Sequence, residues 1–132
     1  KSKNSLAGLR SVYISSSTYL ESNKEKLNML LTVPTENIKT NEMGFFAGTM
    51  FWISGSYKYL DSIDINKFED ETGQTDGTYA HAIERYVSMQ PQINNEPLFK
   101  ISKGHKVSEI KKSDIRVTES IDDWEKFIED EK

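Results

Sequence analysis

Four carboxylates, Glu69, Asp70, Glu71 and Asp76, crowd the chain just ahead of Gly77-Thr78-Tyr79-Ala80-His81. A helix is predicted over 77–89, because Tyr79, Ala82, Ile83, Tyr86 and Val87 recur at i, i+3, i+4, i+7 and i+8 as one apolar stripe. Asp76 stands where an N-cap belongs, and Gly77 leaves its approach open. A carboxylate pointing from a helix N-terminus into a cleft can accept a proton from a hydroxyl, which is general-base chemistry. The helix dipole lowers that basicity and the neighbouring acids raise it. His81, Glu84 and Arg85, spaced i, i+3 and i+4, are expected on the polar face opposite the stripe. Plainer readings stand beside these: Asp76 as a cap, His81 as a surface histidine, and Glu84–Arg85 as a surface pair worth under ~1 kcal/mol.

The elements that must position these groups read as follows. Residues 10–15 have strand composition, and a helix is expected over about 23–32 with Asn23 as its cap. The run 45–53, Phe-Phe-Ala-Gly-Thr-Met-Phe-Trp-Ile, is apolar on both alternating faces. That predicts a strand buried on both sides, central in a sheet covered by helices, with Phe51 and Trp52 in the core rather than forming a stacking platform. A short helix carrying Tyr57, Leu60 and Ile63 and a polar loop over 64–75 lead into the 77–89 helix, which Pro91 is expected to end. Lys103-Gly104-His105 suggests the turn of a hairpin over 98–110, a further strand is expected over 115–118, and a final helix is expected from Ser120 with Ile121, Trp124, Phe127 and Ile128 as its stripe. Alternating strands and helices favour a layered α/β domain spanning residues 1–132, built as a segment 8–90, a hairpin and strand extension 91–118, and an acidic helix 119–132.

Composition narrows the chemistry. The chain has 132 residues, 36% hydrophobic and 29% charged, which suits one domain with one core. Without cysteine, disulfides, thiolate nucleophiles and Cys-ligated zinc are excluded. Two histidines, His81 and His105, are too few and too far apart to suggest a histidine metal site. No apolar run of the length a transmembrane helix needs occurs, nor a signal-peptide stretch. Net charge is −4, and residues 119–132 alone hold seven acids and two lysines. The basic stretch 100–116 lacks the interleaved aromatics of a nucleic-acid site. Neither G-x-x-x-x-G-K-[ST] nor G-x-G-x-x-G spacing is present to cradle a phosphate.

Two segments in order, Phe46-Ala47-Gly48-Thr49-Met50-Phe51-Trp52 and Asp76-Gly77-Thr78-Tyr79-Ala80-His81-Ala82-Ile83-Glu84-Arg85, resemble the rhamnan synthesis protein F family. Those are bacterial glycosyltransferase-like proteins of cell-wall, capsular and lipopolysaccharide O-chain assembly. The resemblance covers about residues 8–90. It implies a Rossmann-like glycosyltransferase fold, with helices on both faces of its sheet, of which this chain holds the acceptor-side half. It also implies transfer of rhamnose or a related hexose, in the cytoplasm or at the inner face of the membrane, from a nucleotide sugar with Mg or Mn. Carried onto this sequence, Asp76 becomes the catalytic base. Gly48, Thr49, Trp52, Gly77, Thr78, His81, Glu84 and Arg85 become the acceptor-side lining. The donor-binding half is absent ahead of residue 8, so no cofactor is expected in this chain alone. A missing N-terminal domain or self-association would cover the exposed sheet. The alternative from another class is a non-catalytic module of that fold that binds glycan or protein.

Overall fold

The computed structural model describes residues 4–49, 51–70, 72–73 and 76–116, and shows a mixed α/β domain. Its larger sheet has four strands in the order β4-β1-β5-β6, formed by β1 (Leu6–Leu9), β4 (Phe51–Ile53), β5 (Phe99–Ser102) and β6 (Lys106–Glu109). β1 runs antiparallel to β4 and parallel to β5, and β5 and β6 pair as the expected hairpin, with Gly104 at φ 79° in its turn. A second, two-stranded antiparallel sheet joins β2 (Tyr13–Ser15) to β3 (Gly44–Phe46). Two helices, α1 (Leu20–Asn28) and α2 (Tyr79–Ile93), pack on one another, and α2 packs on β3. The core between them holds Leu6, Tyr13, Leu27, Phe46, Tyr79 and Tyr86, all nearly inaccessible.

The single central strand expected over 45–53 is instead two strands in two sheets. Phe45 and Phe46 are fully buried in β3, as a strand apolar on both faces must be. Gly48 and Thr49 then take left-handed conformations, φ 74° and 57°, and swing the chain out of that sheet. Only glycine adopts this region freely, so Thr49 holds a backbone geometry that its side chain disfavours. β4 emerges at the edge of the larger sheet, where Trp52 stands in register with Ala7 and is 62% exposed. The sequence reading of Trp52 as core is therefore corrected.

Pro91 does not end α2, which continues two residues beyond it. A proline inside a helix leaves the carbonyl four residues earlier without its N–H donor. Here that carbonyl belongs to Val87, and the buried Tyr57 hydroxyl donates to it at 2.5 Å. The α1 helix likewise begins before Asn23, so Asn23 lies inside it, fully buried, and is not its cap. From the expected strand 115–118 the described residues include an isolated parallel bridge, Ile14 to Arg116. The helix expected from Ser120 lies outside the described residues.

Candidate functional site

The α2 N-terminus is organised by four side chains, those of Thr78, His81, Glu69 and Lys26. Thr78, not Asp76, is the N-cap: its hydroxyl oxygen accepts the His81 N–H at 3.3 Å. His81 completes a capping box by accepting the Thr78 N–H on Nδ1, with the Thr78 hydroxyl 2.6 Å from the same nitrogen. An accepting Nδ1 leaves the ring proton on Nε2. Glu69 reaches back from the preceding loop to accept the Tyr79 N–H at 2.9 Å, and Lys26 of α1 donates to both Glu69 (2.6 Å) and the Gly77 carbonyl (2.8 Å). Asp70 is exposed, and Glu71 lies outside the described residues.

Asp76 faces α1. Ser22 donates to its Oδ2 and Asn23 to its Oδ1, both at 2.6 Å, and Arg85 stands 3.8 Å from Oδ1. Asn23 also accepts the Gly77 N–H at 3.2 Å, so one buried amide fastens the loop from both sides. Gly77 sits at φ 84°, where a side chain would be strained and its Cβ would press on the Ser22 carbonyl at 3.3 Å. Both oxygens of Asp76 are thus occupied in tying the loop to α1. The carboxylate keeps 17% exposure.

Arg85 is buried at 1% exposure, not on an outward polar face. Its guanidinium donates to the His81 and Thr18 carbonyls, each at 3.1 Å, and lies 4.5 Å over the Phe45 ring. Its Nε finds no hydrogen-bond partner among the described residues. Helical spacing predicts an angle around an axis; it does not reveal that β3 covers this side of α2 as well.

Glu84, one residue away, turns to the β3–β4 turn. Its carboxylate lies 3.5 Å from the Thr49 hydroxyl, and the Gly48 backbone N–H acts on it electrostatically. Burial raises its pKa above the ordinary glutamate value; the Arg85 cation, Gly48 and Thr49 pull it down, and Asp76 pushes it up, with burial prevailing. The structure therefore brings Gly48, Thr49, Glu84, Arg85 and Asp76 into one neighbourhood. Thr78 and His81 are engaged in capping at its rim, while Trp52 belongs to the edge of the larger sheet. The partners absent from the sequence reading, Ser22, Lys26 and the Thr18 carbonyl, all come from α1 or the loop before it. Their one signal is the polar pair Ser22-Asn23 inside a helix.

A separate cavity of about 690 Å³ opens at the other end of α2, lined by Tyr13, Ile38, Glu42, Gln92, Leu98 and Ile110 among others. None of the predicted site residues lines it, and on its wall Lys112 pairs with Glu42 at 3.1 Å.

The ion pairs predict how stability varies with acidity. Glu69 is pulled from its ordinary 4.5 to about 2 by Lys26 and the Tyr79 N–H. Partial burial raises Glu96, but hydrogen bonds from Tyr59, Lys58 and Asn4 outweigh it and bring it to about 2. Carboxylates depressed on folding stabilise fully above their unfolded pKa, and that contribution is lost as pH falls through the folded one. Glu84 has the opposite sign and is more favourable once protonated. Thermal melts should thus show stability falling between about pH 4.5 and 2, with a shallower fall in Lys26→Met. A melting temperature constant down to pH 2 would contradict these pairings.

Among the described residues no helix is long and apolar enough to cross a membrane, and no three His, Asp or Glu side chains converge to hold a metal. Comparison with known proteins finds no matching family model and no matching solved structure. The chain is similar to the uncharacterized protein WxcX of Xanthomonas campestris pv. campestris, in strains B100 and ATCC 33913, at 43% identity over 63 residues. That match takes in 45% of this chain but spans 9% of the length of the relative.

Proposed function

We propose that this chain is the acceptor-side part of a glycosyltransferase, which moves rhamnose or a related hexose from a nucleotide sugar onto a growing bacterial polysaccharide. The observation that carries the reading is the meeting of the two segments on which the family resemblance rests. Glu84 of the second faces Gly48 and Thr49 of the first, across 35 residues of sequence. A saccharide hydroxyl needs a donor and an acceptor at fixed positions, and a backbone N–H, a hydroxyl and a carboxylate supply them there. A strained turn facing a half-buried carboxylate is also where folds tend to keep chemistry. A layered nucleotide-sugar-transferase architecture and a cytoplasmic location, where such donors are made, belong to the same proposal.

Among the described residues no carboxylate cluster is built to hold the Mg or Mn of a donor diphosphate. Donor binding is assigned to a separate half or a partner. Calorimetry should accordingly show weak binding of rhamnose-containing oligosaccharides to this chain and no micromolar site for dTDP-rhamnose or UDP-hexoses. A tight, metal-dependent nucleotide-sugar site would overturn the division into halves. Absence of any saccharide binding would overturn the acceptor reading.

A further inference from the structure

Resting on that acceptor reading, we propose that Glu84 takes the proton from the acceptor hydroxyl, and that Asp76 acts as a positioning residue for it through Arg85. Asp76 is the carboxylate that sequence position favours, yet Ser22 and Asn23 each hold one of its oxygens at 2.6 Å. A base must also lie within reach of the proton that it removes, and the Asp76 carboxylate, turned to α1 with 17% of its side chain exposed, offers an acceptor little access. Glu84 is held far more loosely, by a long 3.5 Å contact to the Thr49 hydroxyl on the facing turn. Such long contacts in the absence of substrate are what an incoming hydroxyl can replace.

The surroundings suit that role. Arg85 on the same helix, Asp76 on the loop before it, and Gly48 and Thr49 on the facing turn are the charged and polar groups acting on Glu84. Burial outweighs the Arg85 cation, so the carboxyl binds its proton more firmly than an exposed glutamate does. Arg85 is fixed by two backbone carbonyls, and its distance to Asp76 is 3.8 Å, so Asp76 balances a buried cation beside the reacting group. In the step itself the acceptor O–H bond breaks and its proton passes to a Glu84 carboxylate oxygen. The hydroxyl oxygen then bonds to the anomeric carbon of the nucleotide-sugar donor. The bond from that carbon to the diphosphate breaks, and its electron pair leaves with the nucleotide.

The test is the pH dependence of oligosaccharide binding to this chain, with the side-chain carboxyl of Glu84 followed by ¹³C NMR. Glu84 should titrate above the free-glutamate range, and affinity for a rhamnose oligosaccharide should change several-fold across that titration. Glu84→Gln should flatten the profile, whereas Asp76→Asn should retain a pH dependence with its midpoint shifted downward. If Glu84 titrates at or below the free value, or Glu84→Gln keeps the parental profile, the assignment is wrong. Should saccharide still perturb Gly48 and Thr49 in that case, the acceptor reading survives. Should no saccharide perturb the parent chain at any pH, both fall together.

Discussion

Arg85→Ala is expected to destabilise the domain by about 3 kcal/mol or more, because breaking a buried, charge-bearing network costs more than truncating a surface arginine. The guanidinium bridges the His81 and Thr18 carbonyls and covers the Phe45 ring at 4.5 Å. Its removal deletes the side-chain donor to both carbonyls, opens a void against Phe45, and leaves Asp76 without its cation. For a domain of this size the loss should appear as a fall of roughly 10 °C in melting temperature. Lysine should recover less than half of it, since one ammonium cannot span both carbonyls in the plane of the guanidinium. A melting temperature within about 3 °C of the parent would show that Arg85 is not buried as described.

That expectation could not be drawn from sequence, where Arg85 reads as half of an exposed pair. Periodicity made α2 legible through Tyr79, Ala82 and Tyr86, all buried on one stripe. It said nothing of Arg85, Ser88 and Gln90, which are buried too because α2 is packed on more than one side. The helix boundaries were harder still. Asp76 and Thr78 are both good caps, and only the Thr78–His81 geometry decides between them. Pro91 is a strong stop signal unless another side chain replaces the lost donor, and the Tyr57 hydroxyl comes from 34 residues earlier. The run 45–53 concealed a turn because Gly48 and Thr49 are small residues that a strand also tolerates. β1 went unseen because Leu-Ala-Gly-Leu has little strand propensity, and its glycine is there for a neighbour.

That neighbour sets the second large effect. Gly8→Ala should cost about 2–3 kcal/mol, since a Cβ at this position would lie 2.3 Å from the Phe46 ring. Phe46 is wholly buried and rests on Tyr13 with ring centroids 5.0 Å apart, so it cannot swing clear. Gly44 is in the same position beneath Tyr13, where a Cβ would meet the ring at 2.4 Å. Gly8 lets the larger sheet close on Phe46, and Gly44 lets Tyr13 lie across its own β2–β3 sheet, so both rings fit in one aromatic layer. Combining Gly8→Ala with Phe46→Leu should therefore cost less than the sum of the two single changes, measured by denaturant unfolding. Strict additivity would mean that the ring does not press on Gly8.

The proposed saccharide-recognising surface is the β3–β4 turn together with Glu84 of α2 beside it. Residue-resolved NMR of the chain titrated with a rhamnose oligosaccharide tests it most directly. The expected result is a set of saturable shifts centred on Gly48, Thr49, Glu84 and Arg85, absent when a nucleotide sugar alone is added. Shifts centred instead on Ile38, Gln92 and Ile110, around the cavity at the far end of α2, would contradict it.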